Sequence, residues 1–142
     1  MKLNLQIASR SKSIPAATQF KRWVKAALAD QQAEITIRIV DRPEISTLNE
    51  QYRHKTGPTN ILTFPFAAPI KTEVLGDIVI CAAVANQEAK QQHKPPAAHW
   101  AHLTIHGILH LLGYDHNTAK TAQQMESLEI KLLAELGFPS PY

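Results

Sequence analysis

The sequence contains a single cysteine, Cys81, among its 142 residues. A disulfide and a thiolate-cluster zinc site each need at least two thiolates, so neither can form within this chain. A bound metal ion would therefore have to use other side chains.

Long apolar runs are also missing from the sequence. The longest wholly apolar stretch, residues 78–85, is far shorter than the roughly 20 residues that a membrane-spanning helix needs. Residues 1–6 alternate between polar and apolar side chains, whereas a signal peptide has an unbroken apolar region. We therefore expect a cytoplasmic protein that has no contact with a membrane.

Repeats, linkers and low-complexity tracts are absent, and 44% of the residues are hydrophobic while 19% are charged. These values are typical of one globular domain, so we expect a single domain over residues 1–142. Residues 1–60 hold ten basic and five acidic residues, whereas residues 61–142 hold five basic and seven acidic ones. A basic half can attract a polyanion such as RNA, although a solvated surface without a partner has the same composition.

Hydrophobic periodicity predicts alternating strands and helices. Period-two or short apolar runs predict strands at residues 2–8, 34–40, 61–66 and 78–81, of which the last is apolar on consecutive positions and should be central. Three- and four-residue spacing predicts helices at residues 15–29, 44–53, 82–92, 97–112 and 121–136. The helix at 97–112 is apolar nearly all round, so we expect it to be the buried axis of the domain.

Four of the seven histidines lie along that axial helix, at positions 99, 102, 106 and 110. His106 and His110 are one helical turn apart, so both rings can reach one ion. His102 is also four residues from His106, but it is eight residues and roughly 12 Å from His110, too far to share the same ion. Gly113 permits a left-handed turn that returns His116 to His110. Three neutral imidazoles with an open fourth position are typical of a catalytic zinc site.

The remaining histidines have a simpler interpretation. His54 and His93 fall in predicted loops, and a histidine on a helix such as His99 is more often a hydrogen-bonded core residue than a ligand. His102 is a weaker candidate for a residue that contacts a metal ligand without binding the metal itself. Zinc proteases of the zincin class carry a glutamate base directly after the first histidine, and that position is Gly107 here, which argues against a protease.

The segment HGILHLLGYDH, residues 106–116, resembles the metal motif of the YbeY family of bacterial endoribonucleases. The resemblance spans about residues 48–137. It is supported by Leu48-Asn49 with Tyr52-Arg53, by residues 58–66 and 75–80, and by Met125 and Glu129 in the last helix.

The resemblance implies an α+β fold: a single domain with a mixed β-sheet of about four strands, packed with about five or six helices. The metal site would lie on the central helix and the following turn, with one zinc ion held by His106, His110 and His116. It also implies a single-strand-specific endoribonuclease that acts in rRNA processing, at the 3′ end of 16S rRNA, and in ribosome quality control. The implied partners are single-stranded RNA and rRNA, the small ribosomal subunit and the GTPase Era. Asn60 stands where many members have aspartate, so a negative charge is missing at that position.

A zinc ion with three neutral ligands lowers the pKa of bound water toward about 7, so hydroxide is the expected nucleophile. Arg53 is the candidate to stabilise the phosphate, because a guanidinium offers two parallel donors to its oxygens. With His110 it forms the expected catalytic pair. Asp115 either orients an imidazole or caps the turn. Lys55 and Asn60 are candidate substrate contacts, although no aromatic residues alternate with the basic ones to indicate stacking.

Glu126 and Glu129 flank the apolar stripe of the last helix, a position at which most carboxylates are solvated. One alternative function is a non-catalytic RNA-binding ribosome assembly factor whose zinc only stabilises the fold. The other is a metallohydrolase of peptides or small molecules.

Overall fold

A computed structural model of the chain describes residues 1–68 and 73–142. In these residues four strands and five helices follow one another: β1 (Lys2–Ile7), α1 (Ala17–Leu28), β2 (Gln32–Val40), α2 (Arg42–Arg53), β3 (Ile61–Phe66), β4 (Glu73–Cys81), α3 (Ala82–Gln91), α4 (Pro96–Leu111) and α5 (Ala119–Glu135). The predicted α+β class is confirmed, with four strands and five helices in this part of the chain.

The four strands form one open sheet in the order β1-β2-β4-β3. β1 and β4 both pair with β2 in parallel, and β3 pairs with β4 in antiparallel orientation, so the sheet is mixed as expected. β4 lies between β2 and β3, which confirms its central position. β3 is an edge strand and therefore tolerates Pro65, which cannot donate to a sheet hydrogen bond.

Both faces of the sheet are covered, which explains why β4 is apolar on consecutive residues. Ile78 and Ile80 belong to the large core formed with α1, α4 and α5. Val79 and Cys81 belong to a smaller cluster on the other face, with Ile45 of α2. Because successive side chains of a strand point to opposite faces, a doubly covered strand needs apolar residues at every position.

α4 is the axial helix that the sequence predicts. Ten of its 16 residues are buried, among them Trp100, Ile105 and Ile108. Gly107 allows the helix to approach the sheet, because a Cβ there would lie 2.9 Å from Ile61 Cδ1 and 3.1 Å from Ile78 Cδ1. α4 therefore carries its histidines across the β3–β4 side of the sheet.

Five elements begin two residues or more away from their predicted starts. α1 begins at Ala17, so Pro15 precedes the helix rather than opening it, and β2 begins at Gln32 rather than residue 34. β4 begins at Glu73 rather than residue 78, because its first half, which mixes polar and apolar residues, pairs with β2 from the Gln32–Glu73 pair onward. α2 begins at Arg42 because Pro43 is accepted in a first helical turn. α5 begins at Ala119 because the Thr118 side chain caps the backbone N–H of Thr121.

Within residues 1–68 and 73–142, no helix is long and apolar enough to cross a membrane.

Candidate metal centre

His106, His110 and His116 come together at the end of α4. The Nε2 atoms of His106 and His110 are 3.0 Å apart, and the centroid of the His116 ring lies 5.3 Å from that of His106 and 4.8 Å from that of His110. One ring nitrogen from each histidine falls within 4.8 Å of the others, so the three could hold a metal ion. Two nitrogens bound tetrahedrally to one zinc ion are about 3.3 Å apart, close to the observed separation.

The turn after α4 returns His116 to the helix. Gly113 has φ +101°, and its N–H donates to the carbonyl of His110 at 3.0 Å. The N–H of Tyr114 donates to the carbonyl of Leu109 at 3.0 Å, which completes a Schellman motif. This helix ending depends on a left-handed residue, which explains the glycine between the second and third histidines.

The electrostatics of the cluster favour neutral imidazole. Burial, then the neighbouring His106 and His116, and also the charge of Arg53, lower the pKa of His110 to about 4. His110 is therefore neutral at physiological pH, the form in which histidine binds a metal ion. The donor set is chemically suited to a borderline divalent ion such as zinc.

The Glu129 carboxylate lies directly behind His106. It is 1% exposed, and its Oε2 atom is 2.6 Å from His102 Nε2 and 3.4 Å from His106 Nδ1. Its Oε1 atom accepts a hydrogen bond of 2.9 Å from the Tyr142 hydroxyl. Burial raises the pKa of Glu129, but the contacts with His102 and His106 outweigh it and lower the pKa to about 2. His106 therefore has an ionised carboxylate near Nδ1 and the Nε2 atom of His110 near its own Nε2.

His102, His106 and Glu129 form a second group that could in principle hold an ion. However, the 2.6 Å between His102 Nε2 and Glu129 Oε2 is shorter than the spacing of about 3.3 Å between two ligands of one tetrahedral zinc ion. It is the contact distance of a carboxylate paired with an imidazole. This group is therefore better described as a support for His106 than as a separate metal site.

Neither Glu126 nor Glu129 is assigned a role from the sequence, and the structure separates them: Glu126 is exposed, as is typical of such carboxylates, whereas Glu129 is buried. The buried face of α5 consists of Met125, Glu129, Leu132 and Leu133. Glu129 is thus part of the stripe and not beside it. Its spacing of four residues from Met125 is the sequence signal that could have identified it.

A cavity of about 280 Å³ adjoins the cluster, and its lining includes Asn60, Glu88, His99, His102, His106 and Tyr142. The amide of Asn60 donates to Glu88 Oε1 at 3.1 Å, and His99 Nε2 lies 2.9 Å from the same oxygen. Burial raises the pKa of Glu88, but the hydrogen bonds with His99 and Asn60 outweigh it and lower the pKa. An aspartate at position 60 would place a second carboxylate against Glu88, so an asparagine suits this neighbour.

The other candidate residues surround the cluster at different distances. Arg53 is the exposed last residue of α2, and its charge contributes to the low pKa of His110. Lys55 is exposed in the following loop, where its backbone N–H donates to the carbonyl of Asn49. Asp115 Oδ1 accepts from the backbone N–H of Asn117 at 3.2 Å, which is a turn-capping contact. Hydrogen bonds with Thr121 and Asn117 lower the pKa of Asp115.

Fold and site together define an α+β protein with a histidine cluster that could hold a metal ion at the end of its central helix. Comparison with known proteins identifies the family. The family model described as Endoribonuclease YbeY matches residues 5–137. The chain is 51% identical over 146 aligned residues to Endoribonuclease YbeY of Nitrosococcus oceani, covering 99% of this chain and 95% of that protein. The chain therefore belongs to the YbeY endoribonuclease family.

A solved structure has the same fold. The solution structure of TM1509 from Thermotoga maritima aligns with a TM-score of 0.61 over 94% of this chain and 91% of that one, at 24% sequence identity.

Proposed function

We propose that this chain is a zinc-dependent endoribonuclease that cuts single-stranded RNA during rRNA processing, including maturation of the 3′ end of 16S rRNA. We further propose that it acts in the cytoplasm as a single metallohydrolase domain over residues 1–142, with the small ribosomal subunit and the GTPase Era as partners. The observation that carries the proposal is the convergence of His106, His110 and His116 in a chain of an endoribonuclease family.

In this proposal His106, His110 and His116 hold one zinc ion. Zinc with three neutral ligands supplies water activation at neutral pH. Glu129 keeps a proton on His106 Nδ1, which turns the lone pair of Nε2 toward the ion. Such carboxylate–histidine pairs fix both the tautomer and the orientation of a ligand ring.

The RNA backbone is contacted by the residues around the cluster. Arg53 donates two parallel hydrogen bonds to the non-bridging oxygens of the phosphate, on which negative charge grows during attack. Lys55 adds positive charge in the adjacent loop, and Asn60 borders the cavity beside His106. Asp115 acts indirectly by capping the turn that carries His116.

The second candidate is an RNA-binding assembly factor in which zinc only stabilises the fold. It is favoured by the position of His116 in the connection from α4 to α5, because a bound ion would tie this connection to the end of α4. It predicts that Arg53→Ala weakens RNA binding while no preparation cuts RNA. A peptidase is disfavoured, because Gly107 is packed against Ile61 and Ile78 and leaves no room for a glutamate base.

The test compares cleavage of a labelled single-stranded RNA by zinc-loaded wild type, His110→Ala and His93→Ala purified in parallel. His93 is an exposed histidine outside the cluster and is the matched control. We expect wild type and His93→Ala to cut and His110→Ala to lose zinc and cleavage together. Equal cutting by all three would reveal a contaminating nuclease, and binding without cutting would support the assembly factor.

A further inference from the structure

Three aromatic residues form an exposed patch on the outer edge of the sheet. Tyr52 is 61% exposed and Phe66 is 55% exposed, although both are large apolar rings. Tyr52 packs edge-on against the half-buried Phe64, with ring centroids 5.3 Å apart and planes at 74°. Phe64 and Phe66 lie two residues apart on β3 and so point to the same face. We call Tyr52, Phe64 and Phe66 the aromatic patch.

The aromatic patch and the histidine cluster lie on opposite sides of the same stretch of β3. Phe64 packs on the α2 side of the sheet, in the cluster that contains Ile45. On the α4 side, Gly76 pairs with Pro65 of β3, and a Cβ on Gly76 would lie 2.6 Å from the side chain of Leu111. Leu111 directly follows His110, so the end of α4 reaches the residues of β3 that carry the patch.

Positive charge lies next to the aromatic patch along the chain. Arg53 follows Tyr52 directly and is exposed at the end of α2. Lys55 is exposed two residues further on. Exposed aromatic rings beside exposed cations are the arrangement with which proteins bind single-stranded nucleic acid, because bases stack on the rings while phosphates contact the cations.

We propose that Tyr52 and Phe66 form a stacking platform for the bases of a single-stranded RNA whose phosphates contact Arg53. This proposal rests on the proposed function. It adds a binding site for the bases of the RNA that lie away from the metal centre. The platform accepts any base, since every base has a π-face, and it favours unpaired RNA because paired bases have no free face. The neighbouring cations favour RNA over an apolar segment of a partner protein.

The first experiment measures binding of a fluorescein-labelled oligouridylate by anisotropy with metal-free protein, which separates binding from cleavage. We expect Tyr52→Leu and Phe66→Leu each to weaken binding by about 5- to 150-fold, the usual range for loss of one stacked base. Tyr52→Phe keeps the ring and should bind like wild type. Ile7→Ala truncates an apolar residue of similar exposure on the opposite edge strand and should also leave binding unchanged.

A second arm tests stacking directly with RNAs that lack one base at successive positions. If Tyr52 stacks on a base, the RNA that lacks this base should bind wild type only as tightly as intact RNA binds Tyr52→Leu. With that abasic RNA, wild type and Tyr52→Leu should then have the same affinity. If the loss of affinity from Tyr52→Leu is the same for every abasic RNA as for the intact RNA, the proposal is overturned. If Tyr52→Leu binds RNA with the affinity of wild type, the proposal is also overturned, and a partner protein becomes the better candidate for binding the aromatic patch.

The outcomes separate this proposal from the proposed function. If wild type binds RNA in the expected pattern but never cuts it when loaded with zinc, the platform stands and the catalytic proposal fails. If wild type cuts RNA and Tyr52→Leu has unchanged affinity, the catalytic proposal stands and the platform fails. A wild type that binds no RNA would overturn both.

Discussion

At the residue scale, Glu129 has the most polar contacts around the candidate metal centre. Its two oxygens face His102, His106 and Tyr142, and the side chain is almost completely buried. A buried carboxylate is costly unless it is paired and hydrogen-bonded. The Tyr142 hydroxyl donates to Oε1, and Oε2 is paired with the rings of His102 and His106, so we propose that this carboxylate positions His106.

Glu129→Gln should weaken zinc binding by about 10- to 100-fold, the usual effect of removing a partner of a metal-bound histidine. The glutamine has one acceptor oxygen and one NH₂ group in place of two acceptors, so it cannot accept from all three neighbours. The zinc dissociation constant, measured by competition with a chelator, checks this expectation.

The matched control is Glu126→Gln, an exposed carboxylate on the same helix, which should bind zinc like wild type. Equal zinc affinity in all three proteins would show that Glu129 does not position His106. A wild type that binds two zinc ions, one of them lost in Glu129→Gln, would instead make Glu129 a ligand.

The sequence allowed prediction of residues whose role follows from local spacing. His106 and His110 are one turn apart, and Gly113 marks the turn before His116, so the cluster was accessible from the chain itself. Glu129 was not, because its burial depends on how α5 packs against α4, and a carboxylate on the border of a stripe can point either way. The contact of the exposed Tyr52 with Phe64 of β3 was likewise not predictable, because the fold brings the two rings together and no alternation with basic residues marks them in the sequence.

At the element scale, the close contact of α4 with β4 positions the end of the helix. Gly76 lies in β4, and a Cβ there would be 2.6 Å and 2.9 Å from the two methyl carbons of Leu111 and 3.1 Å from the carbonyl oxygen of Phe64. Only a residue without a side chain allows Leu111 to pack in this place. The glycine therefore sets the distance between the sheet and the part of α4 that carries His110.

Gly76→Ala should lower the free energy of unfolding by about 1–3 kcal/mol, the usual cost of overpacking a core. Urea denaturation of metal-free protein measures the change. Leu111→Ala removes the nearest obstructing atoms, so the same substitution should cost less in that background. Equal costs in both backgrounds would show that the contact between Gly76 and Leu111 does not limit the packing of α4.

The predicted elements were most accurate where one pattern was unambiguous. α4 and the apolar second half of β4 were predicted correctly because each contains a run of mostly apolar residues, which indicates a buried element. The first half of β4 was missed because Glu73 and Asp77 are polar, and its strand conformation results from pairing with β2. Pairing between distant segments is a tertiary interaction that local periodicity does not contain.

At the scale of the whole molecule, the half-buried His110 and the buried Glu129 make the stability of the metal-free protein depend on pH. Burial above all lowers the pKa of His110 from 6.5 to about 4, so between these values the unfolded chain binds a proton that the folded chain does not. Glu129 has its pKa lowered from 4.5 to about 2, with the same consequence in that lower range. Stability therefore falls as pH falls through both windows.

Urea unfolding of metal-free protein at a series of pH values should show a free energy of unfolding that decreases from about pH 6.5 to pH 2. Glu129→Gln should retain the decrease above about pH 4.5 and lose the contribution of this carboxylate below it, since an amide does not titrate. A free energy that is constant between pH 6.5 and pH 4 would contradict the burial of a neutral His110.

The central claim, that one zinc ion held by three histidines is needed for RNA cleavage, is tested most directly by a metal titration. Metal-free protein would be given increasing zinc, and the initial rate of cleavage of a single-stranded RNA would be measured at each step. We predict a rate that starts near zero and rises linearly to a break at about one equivalent, with His110→Ala inactive throughout. Cleavage by the metal-free protein at the full rate would contradict the account.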